Sequence, residues 1–300
     1  MRLENPLSSP KVTPGRGANE AVRGNEAATS CRPVLRWAGS KQKLIPLLEE
    51  YWRPEFKTYV EPFAGSACLF FHLAPAKAIL GDNNSDLVEM YEVIRRDPVR
   101  LARRLAHIPR TSDAYYRWRS IPAQSLDPER RALRFLYLNR HCFNGIFRTN
   151  REGAFNVPFG TRLPDRLTTD DLLACARLLK DAVLVSGDFE RTVQRAKAGD
   201  FVYLDPPFAM SRKRNRSEYG HAAFSQSDIA RLNDAMYCLN AIGAHFLVSY
   251  GDCPEARQLQ RNWISRKVRV RRHVAGFAGD RRHAYEWMIS NVAPRVGVQG

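Results

Sequence analysis

Residues Phe201-Val202-Tyr203-Leu204 form an apolar run that stops at Asp205-Pro206-Pro207-Phe208, and no other stretch limits the fold so tightly. The run reads as a strand, and two successive prolines can neither donate to a sheet ladder nor continue into a helix. A rigid turn must follow. It leaves a carboxylate, the bare carbonyl of Pro206 and an aromatic face together at a strand end. Asp205 and that carbonyl can each accept a hydrogen from an NH2 group, and Phe208 offers a stacking face. The trio suits the exocyclic amine of a nucleobase drawn out of its stack. A strand end closed by a double-proline turn and nothing more is the competing reading, so the other segments decide.

Around this corner the chain alternates strand and helix. Thr58-Tyr59-Val60 reads as a short buried strand, Ser66 to Leu73 as a helix, and Ala78-Ile79-Leu80 as a second strand ending at Gly81-Asp82. Helices are expected from about Asn84 to Arg95 and from Asp171 to Leu179, with a strand from Ala182 to Val185. Ser225, with Asp228 three positions on, makes a capping start for a helix reaching about Ile242. Phe246-Leu247-Val248 is another buried strand, and Ile264 to Arg271 pairs with Tyr285 to Ile289 as antiparallel strands. The fold class is α/β: a doubly wound, Rossmann-like sheet with an antiparallel edge strand.

Between Asp97 and Asp165 the alternation breaks. This stretch is dense in arginine and aromatics, helical through Pro128 to Asn139 and loop-like around Asn144-Gly145 and Gly153. It reads as an insertion, and a chain of 300 residues can hold one large domain that carries it. The expected division is a disordered tail over 1–31, a main domain over 32–96 and 169–300, and a mainly helical insertion over 97–168.

Glu61-Pro62-Phe63-Ala64-Gly65-Ser66-Ala67 is a tight turn of small residues at the carboxyl end of the first strand, where open α/β sheets bind ligands. Gly65, having no side chain, would let the backbone approach a nucleoside. Asp82 ends the next strand, the position from which a carboxylate binds ribose hydroxyls. Helix packing explains a glycine turn followed by an acid equally well. The turn lacks the GxGxxG fingerprint, so a pyrophosphate ligand is disfavoured. A phosphate-free nucleoside such as S-adenosylmethionine fits better, with Lys41 and Glu61 as partners for its amino acid part.

A formal net charge of +16, mostly from arginine, points to a polyanionic partner. The six cysteines form no CxxC pair and no zinc-spaced cluster, so reduced thiols and no metal are expected. No run has the length of a membrane span and no secretory core opens the chain. A cytoplasmic monomer in solution, away from membranes, is the expectation.

Together these segments resemble the Dam-type DNA adenine-N6 methyltransferases, from Leu35 to about Asn291. The matching pieces are Arg36-Trp37-Ala38-Gly39-Ser40-Lys41, Val60 to Gly65, Asp82 to Asp86, Tyr137-Leu138-Asn139-Arg140, Phe143-Asn144-Gly145, Arg148-Thr149-Asn150, Gly153 to Gly160 and Asp205 to Phe208. The resemblance implies a methyltransferase that takes S-adenosylmethionine and double-stranded DNA, at a GATC-like site, by base flipping and direct displacement. It implies catalysis by Asp205, Pro206, Pro207 and Phe208. Cofactor contacts are implied at Trp37, Lys41, Glu61, Phe63, Gly65, Asp82 and Asp205. The insertion becomes a target-recognition domain, with Arg36, Asn139, Arg140, Asn144, Arg148, Asn156 and Pro158 toward DNA. Ser40 and Ala67 stand where the family often has glycine, Phe208 where it usually has tyrosine, and His141 where an aromatic is frequent.

Arg148 is the residue expected to contact a guanine edge. Arg212, Lys213, Arg214 and Arg216 read either as a loop closing on the DNA backbone or as a solvated charge run. Arg130, Arg131 and Arg134 share a helix with Leu133 and Leu136, so some are the wet face of an amphipathic helix. Cytosine-N4 methylation and a catalytically silent DNA-binding homologue stay as alternatives.

Overall fold

The computed structural model describes residues 31–150, 152–207, 224–271 and 283–295. A seven-stranded sheet crosses it in the order β3-β2-β1-β4-β5-β7-β6. Its strands are β1 (Tyr59–Glu61), β2 (Ala78–Asp82), β3 (Val183–Ser186), β4 (Phe201–Leu204), β5 (His245–Gly251), β6 (Ile264–Arg271) and β7 (His283–Ser290). The first five run parallel, and β7 lies antiparallel between β5 and β6. This is the doubly wound, Rossmann-like sheet with an antiparallel edge, and helices cover both faces.

Alternation along the central strands feeds two cores. Tyr59, Phe201, Tyr203 and Leu247 point into one, while Val60, Val202, Leu204, Phe246 and Val248 point into the other. Short all-apolar strands follow from this, because both faces are packed. The second core is closed by α8 (Phe189–Val193), α9 (Gln226–Ala241) and α10 (Ala256–Leu259). Ser225 caps α9 through the reciprocal Ser225/Asp228 box expected from their spacing.

The first core receives α1 (Ile45–Glu49), α2 (Cys68–Leu73), α3 (Ser85–Arg96), α4 (Pro98–Ala106), α5 (Ser112–Ser120), α6 (Pro128–His141) and α7 (Thr169–Leu179). Helices α4 and α5 were not anticipated. Their signals are nonetheless present: Asp97 accepts from Arg100 N–H ahead of Pro98, and Thr111 accepts from Ala114 N–H. The chain between α3 and α7 shares the first core with the sheet, since Leu101, Tyr115, Leu133 and Leu136 join Tyr59 and Leu80 there.

After α6 the chain turns back on itself. Cys142 bridges Phe159 and Thr149 bridges Phe155, both antiparallel. Asn150 N–H donates to Ala154 O at 2.8 Å and Asn156 N–H to Arg148 O at 3.1 Å. The 142–159 segment is therefore a hairpin, with Asn144 in the left-handed region at φ 53°.

Candidate active site

From β1 the chain winds outward to β2 and β3; from β4 it winds the opposite way to β5. Loops leaving β1 and β4 therefore diverge, and a crevice opens between them at the carboxyl ends of the strands. A cavity of about 790 Å³ lies there, bordered by Glu61 to Ser66, Asp82, Asp205 to Pro207, and Phe147 to Thr149 of the hairpin.

On the β1 side the turn is tied to β2. Ala64 N–H donates to Gly81 O at 2.8 Å, and Gly65 N–H donates to Asp82 Oδ2 at 2.9 Å. Asp82 Oδ1 also accepts from Asn84 N–H at 2.9 Å. The acid expected to hold a ribose thus also joins the two loops, and burial raises its pKa. Gly65 has φ +47°, and a Cβ there would come 2.7 Å from the Trp37 ring. Its missing side chain makes room for an indole of the same chain, and Gly65 itself borders the cavity. Trp37 in turn stacks on Phe147 of the hairpin at 5.8 Å and on Phe135 of α6 at 6.4 Å. Phe63 stacks on Phe189 at 5.2 Å.

Glu61 borders the cavity, is 3 % exposed, and accepts from Tyr59 OH at 3.0 Å. Burial pushes its pKa well above the usual carboxylate range. A cationic ligand beside Glu61 would offset that desolvation. Two acids, Glu61 and Asp82, with the aromatic faces of Phe63 and Phe189, suit a positively charged nucleoside.

On the β4 side Asp205 follows the strand directly, with Pro206 and Pro207 at the cavity wall. Lys41 Nζ lies 2.7 Å from Asp205 Oδ1 and donates to Gly39 O at 3.1 Å. Glu286 on β7 is 3.9 Å from the same ammonium. Lys41, expected to meet the amino acid part of a cofactor, borders the cavity and is held by the corner carboxylate. Phe208, together with Arg212, Lys213, Arg214 and Arg216, lies outside the described residues.

The residues expected to face DNA divide. Asn139 is fully buried; its Oδ1 accepts from Arg36 N–H at 2.9 Å and its Nδ2 donates to Arg36 O at 2.6 Å. A DNA contact through Asn139 is thereby corrected, because its amide is consumed in clamping the Arg36 backbone. Arg140 donates to the carbonyls of Val34 and Asp165, so its guanidinium is largely structural. Arg134 is 7 % exposed and donates to Trp118 O and Arg119 O, so it is no part of a wet helix face. Arg131 pairs with Glu89, and Arg130 is exposed.

Arg36 packs its Cβ where a side chain at Gly145 would have to sit. Arg148 reaches the cavity and donates through Nε to Asn156 Oδ1 at 2.8 Å. Asn144 and Pro158 are exposed on the hairpin. His141 is a packed residue, tilted against Tyr137 with ring centroids 4.4 Å apart and Nδ1 against Tyr137 O at 2.7 Å.

Sequence reasoning did not single out Asp188 and Phe189, which border the cavity beyond β3. The signal was available: Gly187-Asp188 ends a parallel strand just as Gly81-Asp82 does. Ser249, which donates to Asp205 Oδ1 at 2.8 Å, was also missed.

The profile of the family described as D12 class N6 adenine-specific DNA methyltransferase matches residues 37–273. The chain is 31 % identical over 274 residues to the Type II methyltransferase M1.LlaDCHI of Lactococcus lactis subsp. cremoris, covering 87 % of this chain and 95 % of that protein. It is 34 % identical over 266 residues to the DNA adenine methylase of Escherichia coli strain K12, covering 85 % and 93 %. Identity to the DNA adenine methylase of Serratia marcescens is 39 % over 204 residues, covering 66 % and 74 %.

Proposed function

The chain belongs to the D12 class of N6 adenine-specific DNA methyltransferases, and from that premise we propose that it methylates adenine flipped from double-stranded DNA at a GATC-like site, with Asp205 as the catalytic residue. The observation that carries this reading is the position of Asp205. It borders one cavity together with the β1 turn and the hairpin residue Arg148, so a methyl donor and a base could meet beside it.

Adenine's amino nitrogen is a weak nucleophile because its lone pair is delocalised into the ring. Acceptance of its two hydrogens by the Asp205 carboxylate and the Pro206 carbonyl favours a pyramidal nitrogen with the lone pair directed outward. Pro206 suits this role because its carbonyl follows a residue locked in φ and is not drawn into a helix. Lys41 balances the charge of Asp205, which leaves the carboxylate as a hydrogen-bond acceptor of fixed position. S-adenosylmethionine, which this family uses, supplies an electrophilic methyl group when bound. Glu61, Phe63, Asp82 and Phe189 are the residues that would hold it, Glu61 facing its positive charge and Asp82 its ribose.

Residues 97–168 would supply target recognition, chiefly through the hairpin. Arg148 has the fork that reads guanine, and Asn144 and Pro158 are exposed beside it. Flipping the base costs a few kcal/mol, which these contacts must offset.

Replacing Asp205 with alanine tests the reading. Transfer of a tritiated methyl group to duplex DNA should fall by about 10³-fold or more, while DNA binding by fluorescence anisotropy stays near the parent value. Retained turnover would refute it. Chromatography of the labelled bases separates N6-methyladenine from N4-methylcytosine, and the latter product would replace the proposed substrate.

A further inference from the structure

Strands β4 and β5 run parallel with Leu204 opposite Val248, so one residue further on Asp205 comes beside Ser249. Ser249 is fully buried, in a strand whose neighbours Phe246, Leu247, Val248 and Tyr250 are buried and apolar. An alanine would suit that packing at lower desolvation cost. The hydroxyl instead lies 2.8 Å from Asp205 Oδ1, and Tyr203 OH lies 3.0 Å from Ser249 Oγ. We propose that Ser249 and Tyr203 form a hydrogen-bond relay that orients the Asp205 carboxylate toward the substrate amine. The inference rests on the catalytic reading of Asp205 above.

The direction of each bond follows from proton counting. A carboxylate paired with the Lys41 ammonium has no proton to donate, so Ser249 donates to it. A serine hydroxyl carries one proton, so Tyr203 must donate to Ser249 Oγ. Burial and the nearby Asp205 charge keep the Tyr203 phenol protonated. The relay therefore runs in one sense, from Tyr203 through Ser249 to Oδ1, and each bond polarises the next.

Lys41 Nζ and Ser249 Oγ both reach Oδ1. A lysine ammonium is a point charge on a long stem and imposes little direction by itself. Ser249 sits on the rigid neighbouring strand, and the second donor fixes the rotation of the carboxylate. Acceptance of the adenine hydrogen then falls to Oδ2. Ser249 does not border the cavity, so it acts through Asp205 as a positioning residue and touches no substrate.

Single-turnover methylation of a duplex oligonucleotide tests the relay in the full chain, with Ser249→Ala, Tyr203→Phe, the double variant and Asp205→Ala measured side by side. Ser249→Ala should lower the methylation rate about tenfold or more, and Tyr203→Phe by about threefold. Affinities for S-adenosylmethionine and DNA should stay within about twofold of the parent. Ser249→Thr, which keeps the hydroxyl, should restore most of the rate. Tyr203 also borders the cavity, but its hydroxyl is engaged by Ser249, so removing that hydroxyl should leave the double variant no slower than Ser249→Ala alone. Parent rates in Tyr203→Phe and Ser249→Ala, or losses that multiply in the double variant, would overturn the relay. If Ser249→Ala fails to fold, the nearly isosteric Tyr203→Phe and the Ser249→Thr rate still decide: a parent rate in the former or a tenfold loss in the latter overturns it. An active Asp205→Ala protein would instead remove the catalytic reading itself.

Discussion

The double-proline corner and the hairpin face the same cavity but are built by different means. At the corner, sheet register brings polar groups together: Asp205 leaves β4, Ser249 lies on β5, and Glu286 on β7 stands 3.9 Å from Lys41. In the hairpin, turns set the geometry, and arginines near its base are spent on the protein's own carbonyls. Arg134 holds Trp118 and Arg119, Arg140 holds Val34 and Asp165, and Arg110 holds Pro164. Positive charge in a segment therefore overstates the number of cations offered to a polyanion. Buried carbonyls at loop ends need donors, and an arginine fork satisfies two of them at once.

His141, at the foot of the hairpin, offers the largest effect by which to break this contrast. Burial, more than neighbouring arginines, lowers its pKa from 6.5 to about 4. The folded chain then binds fewer protons than the unfolded chain between those values. Stability from the neutral ring is present above about pH 6.5 and is lost as pH falls toward 4, by about 3 kcal/mol. His141→Phe should remove most of that acid dependence in urea unfolding at pH 7 and pH 4.5. An unchanged pH slope would mean that other groups hold the hairpin base.

Arg148→Ala sharpens the comparison on the recognition side. Loss of one forked base contact should cost about 2 kcal/mol of discrimination at a single position, read by methylation of a library of randomised sites. Site preference identical to the parent's would leave the hairpin as structural as the arginines around it.

Ala67→Gly gives the smallest effect. Ala67 sits at φ 49° before α2, a conformation that penalises a Cβ. Glycine there should raise stability by about 0.5–1 kcal/mol, seen as a higher Tm. A lower Tm would mean that the buried methyl of Ala67 contributes more than the backbone strain costs.

Much of the fold was legible. The apolar runs at 201–204 and 246–248, the Ser225/Asp228 box and the alternating 264–271 strand each carry their signal within a few residues. Helices α4 and α5 were obscured by their arginines and aromatics, although Asp97-Pro98 marked the first of them. Asp205, Glu61 and Asp82 were legible as acids at strand ends, and all three border the cavity. Asn139 was misread because a motif does not reveal which way an amide points, and its target, the Arg36 backbone, is 103 residues away.

Sequence alone determined where strands stop and which acids stand at their ends, because prolines, glycines and apolar runs act over distances of a few residues. Tertiary structure alone decided which groups meet. Tyr203, Asp205 and Ser249 meet because β4 and β5 are neighbours in register, and Lys41, far away along the chain, reaches Asp205 from the turn before α1. Hydrogen bonds and ion pairs act over about 3 Å, a scale that the linear order of residues does not encode.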